Sequence, residues 1–288
     1  MSEQTYATVR GTAENLKQMI QQSSLAGDTE HGDLYLNILE DEIRVLQRTP
    51  GDSVLTSCVF TESFFDDISL EREVQTRTGD YKGDDYEYET GAEAILDVEQ
   101  TQTYLDFASD GGTVELTFTG SDEKRLATYA RAEGSLEAWV KLPGSREALS
   151  EVPHWLAYRW TDDNKFVSSD GESTMPVEIN TKAEKLHTII DAVKDDQDAD
   201  YYPIVVRDGE FIIDVGDEQR SGVRGTLGAK NVEGPDVENY YYDGFEEILN
   251  ILSGPITLQT APNNAPLVVT QEQNGKIIRH NNGSVNQG

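Results

Sequence analysis

Runs of alternating apolar and polar residues, interrupted by short helical stripes, dominate the chain. Near the N-terminus, "TYATVRG" alternates with a period of two, which predicts a strand. In the following "TAENLKQMIQQSS", the apolar residues Leu16, Met19 and Ile20 have the i, i+3, i+4 spacing of a helix, and Thr12 is placed to cap it. The next runs, "GDLYLNILED", "EIRVLQRT" and "SVLTSCVF", predict strands separated by turn residues.

A polar interval rich in Gly, Asp and Tyr covers residues 71–92, and we expect it to form a salt-adapted surface loop. After it, "DVEQTQTYLDFAS" places Val98, Thr101 and Leu105 on one helical face. Three further strands are predicted in "GTVELTFTG", "RLATYARAEG" and "LEAWVKL".

The second half repeats this order of elements. The strand "MPVEINT" precedes the helix "KAEKLHTIIDAVKD", three predicted strands follow, and "YDGFEEILNILSG" is the second helix. The endings match most closely, because "GTVELTFTGSDEKRLATYARAEGSLEAWVKL" and "GPITLQTAPNNAPLVVTQEQNGKIIRHNNG" each run Gly, strand, turn, strand, turn, strand. This order indicates an internal duplication, with two unrelated α+β domains as the alternative.

The duplication predicts two domains and a connector. We expect a first domain over residues 1–142, a connector over 143–174 and a second domain over 175–288. The connector is punctuated by Pro, Ser, Asp and Gly, yet its "VPHWLAYRW" is too apolar for a free linker. Part of it is therefore expected to dock on a domain or on a partner.

Charge changes the picture of the surface. Acidic residues number 54 and basic residues 23, a net charge of −31, while 36 % of the chain is apolar and can form cores. Such acidity is typical of proteins that stay soluble in multimolar salt, so we expect a halophilic source; the alternative is an ordinary acidic protein that avoids nucleic acid. No apolar run approaches the roughly 18 residues of a membrane span, and no signal peptide is evident. We expect a cytoplasmic protein, encoded by a cell or by a virus.

Candidate catalytic chemistry is sparse. The chain has no Gly-rich phosphate loop, GxSxG elbow or HExxH helix. Its one cysteine, Cys58, lies in the apolar run "LTSCVF" and is predicted to be a buried small hydrophobe. The histidines lack metal-ligand spacing and are expected at the surface or in caps: His31, His154, His187 and His280. We therefore expect no enzymatic activity, no cofactor and no metal site.

Three stretches resemble DNA sliding clamps of the proliferating cell nuclear antigen (PCNA) type, of archaeal or archaeal-virus origin. "ITLQTAPNNAPLVV" resembles the clamp segment in which a strand, a short loop and "PLVV" follow the last helix. "YATVRGTAENLKQMI" resembles the family's first strand and helix, and "GDSVLTSCVFTESFFDDI" its strand leading to a Phe. The resemblance spans nearly the whole chain. It implies the α+β DNA-clamp fold, with two duplicated domains, each with two helices and antiparallel sheets, in a ring-shaped homotrimer.

The resemblance also implies a function. A clamp of this type is a non-catalytic processivity factor of DNA replication, whose ring encircles duplex DNA without reading its sequence. It tethers a DNA polymerase and other replication proteins, which insert short peptide motifs into a pocket. The expected partners are thus the chain itself, duplex DNA, these proteins and a clamp loader, and no membrane.

Two sets of residues are implied by the resemblance. The partner-peptide pocket is expected at Leu46, Val54, Val152, Leu156, Pro266, Ile277 and Ile278. For Leu46, Val54 and Ile278, a place in the core is the alternative. The DNA-facing residues are expected to be Arg10, Lys17, Gln18, Gln21, Lys185 and His187.

Two features depart from the family. The helix faces opposite the apolar stripes carry few basic residues, although neutralised phosphates supply non-specific DNA binding. In addition, "RHNNGSVNQG" replaces the family's Ala-Pro-basic ending. Either a high-salt cytoplasm reduces the need for cationic contacts, or a clamp-fold trimer serves a structural or scaffold role, for example in a virion, without encircling DNA. An unrelated acidic α+β protein, with or without enzymatic activity, is the third reading.

Overall fold

In the computed structural model, the chain divides into two units, each made of segments that are far apart in the sequence. The structure describes residues 4–24, 33–48, 54–71, 74–82, 85–108, 112–121, 124–133, 138–140, 165–167, 174–194, 201–217, 221–227, 232–242 and 244–282. The first unit comprises Met1–Gln47, Thr56–Tyr158 and Gln273–Ile278; the second comprises Arg48–Leu55, Arg159–Glu272 and Arg279–Gly288. The predicted domain limits at 142 and 175 stay predictions, since residues 141–164 lie outside the described ranges.

The first unit is built from antiparallel strands and two helices. Its elements are β1 (Gln4–Thr12), α1 (Ala13–Ser23), β2 (Asp33–Ile38), β3 (Glu42–Arg48), β4 (Val54–Thr61), a 3-10 turn (Glu62–Phe64), β5 (Asp67–Leu70), β6 (Val74–Lys82), β7 (Asp85–Asp97), α2 (Val98–Phe107), β8 (Thr113–Ser121), β9 (Lys124–Glu133) and β10 (Ala138–Val140). One sheet has the order β10-β9-β8-β1-β5, and further strands follow in the order β4-β3-β2-β7-β6. The apolar stripe of α1 is buried as predicted, because Leu16, Met19 and Ile20 are all at most 1 % exposed.

The second unit has the same plan. Its elements are β11 (Val177–Lys182), α3 (Ala183–Lys194), β12 (Tyr201–Arg207), β13 (Glu210–Asp217), β14 (Ser221–Leu227), β15 (Val232–Glu233), β16 (Val237–Tyr242), α4 (Gly244–Asn250), β17 (Pro255–Thr260), β18 (Leu267–Gln273) and β19 (Lys276–Asn282). The residues Gln273–Ile278, at the turn between β18 and β19, count with the first unit. One run of strands has the order β15-β11-β17-β18-β19, and a four-stranded sheet has the order β14-β13-β12-β16. The three strands predicted in the last 35 residues are therefore confirmed, and Asn274 and Gly275, both at positive φ, make the tight turn between β18 and β19.

Matching hydrogen bonds confirm the predicted duplication. The first N–H of α1 donates from Ala13 to the carbonyl oxygen of Gly112, and the first N–H of α3 donates from Ala183 to that of Gly254, both at 2.9 Å. Strand pairing agrees, since Thr12 at the end of β1 faces Thr113 of β8, and Lys182 at the end of β11 faces Pro255 of β17. Each unit thus starts its first helix from the same point of the same three-element motif.

The prediction of a surface loop over residues 71–92 was wrong. Strand β6 pairs with the first part of β7 from Val74 opposite Gly91 to Lys82 opposite Asp85. The second part of β7 pairs with β2, with Ile38 opposite Ala92. The prediction gave more weight to the charge and glycine content of this interval than to the alternating β-branched and aromatic residues of "VQTRT" and "YEYET", which favour strands. The position of β6 at the end of the strand order suits a polar sequence, because an edge strand tolerates charge on both faces.

The strands behind the first helix of each unit carry small residues. In the second unit, a Cβ added at Gly225 of β14 would lie 2.1 Å from Cγ2 of Ile189 on α3. In the first unit, Cys58 of β4 is fully buried, as predicted, with its thiol 3.7 Å from the carbonyl oxygen of Gln22 near the end of α1. Close approach of helix to strand thus selects small side chains in both units. None of the described helices has the length and apolar character required to cross a membrane.

Candidate nucleic-acid interface

Helix α1 presents a polar face opposite its buried stripe. The Thr12 hydroxyl accepts the N–H of Asn15 at 3.1 Å and caps the helix, while the Asn15 side chain donates to the Phe64 carbonyl at 2.7 Å. These contacts hold the start of the helix. The residues left towards solvent are Glu14 and Gln21, which are exposed, and Lys17 and Gln18, which are half-buried.

Helix α2 lies against α1 and neutralises its lysine. Asp97 caps α2 by accepting the N–H of Gln100 at 2.8 Å, and Val98, Thr101 and Leu105 form the buried stripe that the sequence predicts. Lys17 Nζ of α1 lies 3.1 Å from Asp106 Oδ1 of α2. The one lysine of this helix pair is therefore joined to a carboxylate.

In the second unit, His187 joins α3 to α4. Its Nδ1 lies 2.9 Å from Asp191 Oδ2, one turn along α3, and its Nε2 is hydrogen-bonded to Asn250 Oδ1 of α4. Both ring nitrogens can donate only in the imidazolium form. The bond to Asn250, followed by the bond to Asp191, raises the pKa of His187 above its ordinary value.

The helix faces are acidic. Among the helix side chains that the structure describes and leaves at least partly exposed, the carboxylates are Glu14, Glu99, Asp106, Glu184, Asp191, Glu246 and Glu247. Among the same described side chains, the cationic groups are Lys17, Lys185 and, when protonated, His187. Hydrogen bonds from its own backbone N–H and from that of Gly254 lower the pKa of Glu184. This balance opposes, rather than attracts, a phosphate backbone.

The predicted DNA-facing residues fall in three places. Lys17, Gln18 and Gln21 share the polar face of α1, and Lys185 and His187 lie on α3. Arg10 is separate from them: it lies in β1 between the buried Val9 and Gly11, on the sheet face turned away from α1. Its cross-strand neighbours are Asp67 and Glu115.

The predicted partner-peptide residues are partly core. Val54 is 1 % exposed and Ile278 is fully buried, whereas Pro266 and Ile277 are half-buried. Leu46 lies in β3 opposite Tyr35, and Val152 and Leu156 fall outside the described residues. This pocket stays a prediction.

A buried network shapes the loop Ala261–Pro266, which lies within the clamp-like stretch "ITLQTAPNNAPLVV". Asn239 donates through Nδ2 to Thr260 Oγ1 and to the Ala261 carbonyl, and its Oδ1 accepts the N–H of Asn264. The Tyr241 hydroxyl donates to the Ala265 carbonyl at 3.0 Å, and burial raises the pKa of Tyr241 to about 12. These two residues of β16 fix the loop beside Pro266, and nothing in the sequence pattern pointed to them.

The remaining titratable residues that the structure describes do not gather into a metal-binding group. No group of three His, Cys, Asp or Glu side chains that could hold a metal ion is found among the described residues. His280 was expected at the surface or in a cap, but it is fully buried in β19, and burial lowers its pKa to about 3, so it is neutral. His31 and His154 lie outside the described ranges.

Comparison with known proteins places the fold. No family model matches the sequence, and no curated protein matches it. Solved structures do match. PCNA from Thermococcus kodakaraensis has a TM-score of 0.69 and 14 % identity, covering 97 % of this chain and 100 % of its own. Archaeoglobus fulgidus PCNA bound to the C-terminal region of FEN-1 has a TM-score of 0.68 and 13 % identity, covering 98 % and 99 %. The PCNA2–PCNA3 complex of Sulfolobus tokodaii has a TM-score of 0.62 and 12 % identity, covering 96 % and 98 %.

The chain therefore has the fold of PCNA-type DNA sliding clamps over nearly its whole length. The predicted fold class, an α+β chain of two duplicated clamp domains, is confirmed. The low identities show the fold alone, because many functions can share one architecture.

Proposed function

We propose that this protein is a non-catalytic sliding-clamp-like processivity factor, which encircles duplex DNA and tethers a DNA polymerase and other replication proteins. The observation that carries the proposal is the fold match, which covers 97 % of this chain and all of the Thermococcus kodakaraensis PCNA. The test is polymerase stimulation on primed circular DNA with the cognate polymerase and clamp loader. Stimulation on closed circles and its loss on short linear DNA, from which a ring slides off, is the expected result.

Ring closure by a homotrimer is part of the proposal. In the described structure, β14 lies at the edge of a four-stranded sheet and β10 at the edge of a five-stranded sheet. Edge strands offer unpaired backbone groups, and a head-to-tail contact that closes by rotation produces a ring. The matched Sulfolobus tokodaii structure is itself a complex of two PCNA chains. We expect the mass of a trimer in multimolar salt, and a monomer under the same conditions would count against the ring.

Partner capture by short peptides is supported by the Archaeoglobus fulgidus PCNA, which is matched in complex with the C-terminal region of FEN-1. Because Ile278 is fully buried, a charge there would disrupt the fold, so the half-buried Ile277 is the better probe of the predicted pocket. Ile277→Glu is expected to weaken binding of a partner peptide while the trimer stays intact. Unchanged affinity would place the pocket elsewhere.

The acidic helix faces favour a second candidate, a clamp-fold trimer with a structural or scaffold role that does not encircle DNA. Seven described carboxylates against two lysines and one histidine give DNA little electrostatic attraction. A halophilic cytoplasm would reconcile the first candidate with this surface, because high salt screens repulsion between phosphates and carboxylates. An intact trimer that fails to stimulate its polymerase at any salt concentration would rule out the processivity role and leave the scaffold role as the remaining candidate.

A further inference from the structure

A groove of about 630 Å³ crosses the second unit on the sheet face turned away from its core. Strand β11 alternates, so that Val177 and Ile179 are buried while Asn180 and Lys182 are exposed on the groove side. Thr257 of β17 and Thr270 of β18 continue the same face, because they are cross-strand partners. We call this cleft the lysine groove, after the residues of its walls: Lys165, Lys182 and Lys185.

One wall of the lysine groove is held rigidly. Phe166 packs with Met175 and Val268 on the sheet, and its N–H donates to Gln259 Oε1 at 2.9 Å. The N–H of Met175 donates to the Phe166 carbonyl at 3.0 Å. These contacts fix Lys165, the neighbour of Phe166, beside the groove, while Lys182 and Lys185 stand at the end of β11 and the start of α3.

The cationic character of this groove is unusual for the molecule. Three of the ten lysines of a chain with net charge −31 line one cleft. With Glu178 and Glu272 also in the lining, the lining residues carry a formal charge of +1, on a protein that is strongly acidic. A ligand with negative charge is therefore attracted to this cleft and repelled by most of the remaining surface.

A side-chain hydroxyl on the groove that lacks a hydrogen-bond partner also indicates a polar ligand. Thr270 is only 6 % exposed, and its hydroxyl has no hydrogen-bond partner within the described structure. A buried hydroxyl without a partner costs free energy, and an acceptor oxygen of a ligand in the groove would remove that cost once the side chain turns towards it.

We propose that the lysine groove docks a short acidic peptide segment of a partner protein. Lysine ammonium groups and threonine hydroxyls offer donors, and carboxylates are matching acceptors. The three strands of the floor span about 10 Å, which an extended peptide crosses with about three residues, so carboxylates two or three residues apart can reach both walls. The lining carboxylates Glu178 and Glu272 disfavour a nucleic-acid backbone, because its phosphates recur at every nucleotide and cannot avoid them.

This docking surface goes beyond the proposed function and does not depend on it. All its residues belong to the second unit, and none of them is in the partner-peptide pocket predicted from the clamp resemblance; Lys185 alone is also one of the predicted DNA-facing residues. A clamp or a scaffold could equally use it. Failure of polymerase stimulation would leave the groove intact as a proposal, and failure of acidic-peptide binding would leave the clamp function intact.

The test uses the full chain and fluorescein-labelled hexaglutamate, with hexaglutamine as the uncharged probe. Fluorescence anisotropy at about 0.1 M salt should detect hexaglutamate binding that weakens about five- to tenfold in Lys182→Gln/Lys185→Gln, since each partly exposed pair contributes modestly. Arg207→Gln is the matched control, because Arg207 is an exposed basic residue of the same unit outside the groove. Equal affinity of the double variant and the control, or equal binding of hexaglutamine, would overturn the proposal.

Two further measurements locate the contact. Carbodiimide should link hexaglutamate to Lys165, Lys182 or Lys185, as identified by mass spectrometry, and linkage confined to other lysines would overturn the assignment. Thr270→Val keeps the shape but removes the unpartnered hydroxyl, so it should weaken binding severalfold without loss of thermal stability. Labelled oligothymidylate is the nucleic-acid probe; if it binds through the same lysines more tightly than hexaglutamate, the groove is a nucleic-acid site and the proposal is wrong.

Discussion

The two units join their helix pairs at the same place by different chemistry. Lys17 is the fifth residue of α1 and His187 the fifth residue of α3. Lys17 pairs with Asp106, which follows the buried Leu105, and His187 bonds to Asn250, which follows the buried Leu249. The buried stripe and the backbone register are shared, whereas the solvent-facing pair is an ion pair in one unit and a titratable hydrogen bond in the other. Packing thus preserves the duplicated geometry and leaves the outer pair free to diverge.

The largest loss of stability is expected at the buried leucine that the first helix of each unit carries at the same position. Leu16 and Leu186 are both fully buried at the fourth position of their helices, so Leu16→Ala and Leu186→Ala should each cost about 2–5 kcal/mol of unfolding free energy. Hydrogen exchange, followed peptide by peptide, assigns the loss to a unit. Gln21→Ala, on the exposed face of α1, should change stability by less than about 0.5 kcal/mol. A negligible cost for either leucine change would break the equivalence of the two helices.

A smaller loss of stability is expected from adding a side chain to the strand that packs behind α3. Gly225→Val places a side chain against Ile189, where even a Cβ would lie 2.1 Å from Cγ2, and should cost about 1–3 kcal/mol in the second unit alone. The cost should shrink when Ile189→Ala makes room, as a double-mutant cycle by urea unfolding would show. The neighbouring exposed Thr226→Ala is the control. Full additivity of the two changes would contradict the close contact.

The pH response should come from the second unit. Because the folded-state pKa of His187 is raised, its stabilisation is fully present below the unfolded pKa of about 6.5 and is lost as pH rises through the folded pKa. At this partly exposed site the effect should be only a few tenths of a kcal/mol. Proton NMR of the ring should show a pKa above 6.5 that falls in Asp191→Asn, with Thr188→Ala as the control. His187→Lys should remove the pH dependence that the imidazole contributes, and a ring pKa at or below 6.5 would contradict the assigned bonds.

The smallest loss of stability is expected from changing the solvent-facing residues that join the two helices of a unit. Asp106→Asn gives the first unit the residue found at Asn250, and because Asp106 is 73 % exposed, it should cost less than about 0.5 kcal/mol. The difference should vanish in 1 M salt, where the Debye length is about 3 Å. Thermal unfolding at low and high salt measures this difference in stability. A loss of stability that persists at high salt would show that the pair of Lys17 and Asp106 contributes more than charge attraction.

Most of the fold could be predicted from the sequence, because the buried face of a helix or strand places apolar residues at regular intervals along the chain. Helix α4 carries Phe245, Ile248 and Leu249 at helical spacing, and all are buried. Polar edge strands are harder, since charged residues interrupt the apolar alternation in the sequence of β6 and the start of β7, and the pairing of these strands rests on backbone bonds that any sequence can make. His280 was misjudged for a related reason: one imidazole in "IIRHNNG" gives no sign of which sheet face it occupies.

The sites were less predictable than the fold. Lys165 is 17 residues from Lys182 in the sequence, and only the docking of Phe166 on the sheet brings them to one groove. The cross-helix partners Asp106 and Asn250 could have been found by aligning "AENLKQMI" with "AEKLHTII" and "YLDF" with "ILNI", which superimposes Lys17 on His187 and Asp106 on Asn250. Pairings between distant segments depend on tertiary contacts that local periodicity does not encode.

The first unit contains a lysine from the far end of the chain, and this affects how the protein is made. Lys276 is 2 % exposed, donates to Gln22 Oε1 at 2.8 Å and lies 5.9 Å from the centre of the Phe64 ring, while Gly275 accepts the N–H of Thr61. Gln22 and Lys276 are 254 residues apart. At a synthesis rate of about 5–20 residues per second, Gln22 waits about 13–50 s for its partner. During that time the site beside Phe64 that Lys276 later occupies is unfilled in the nascent first unit. A chaperone or a neighbouring nascent chain can bind there before the hairpin of β18 and β19 is made.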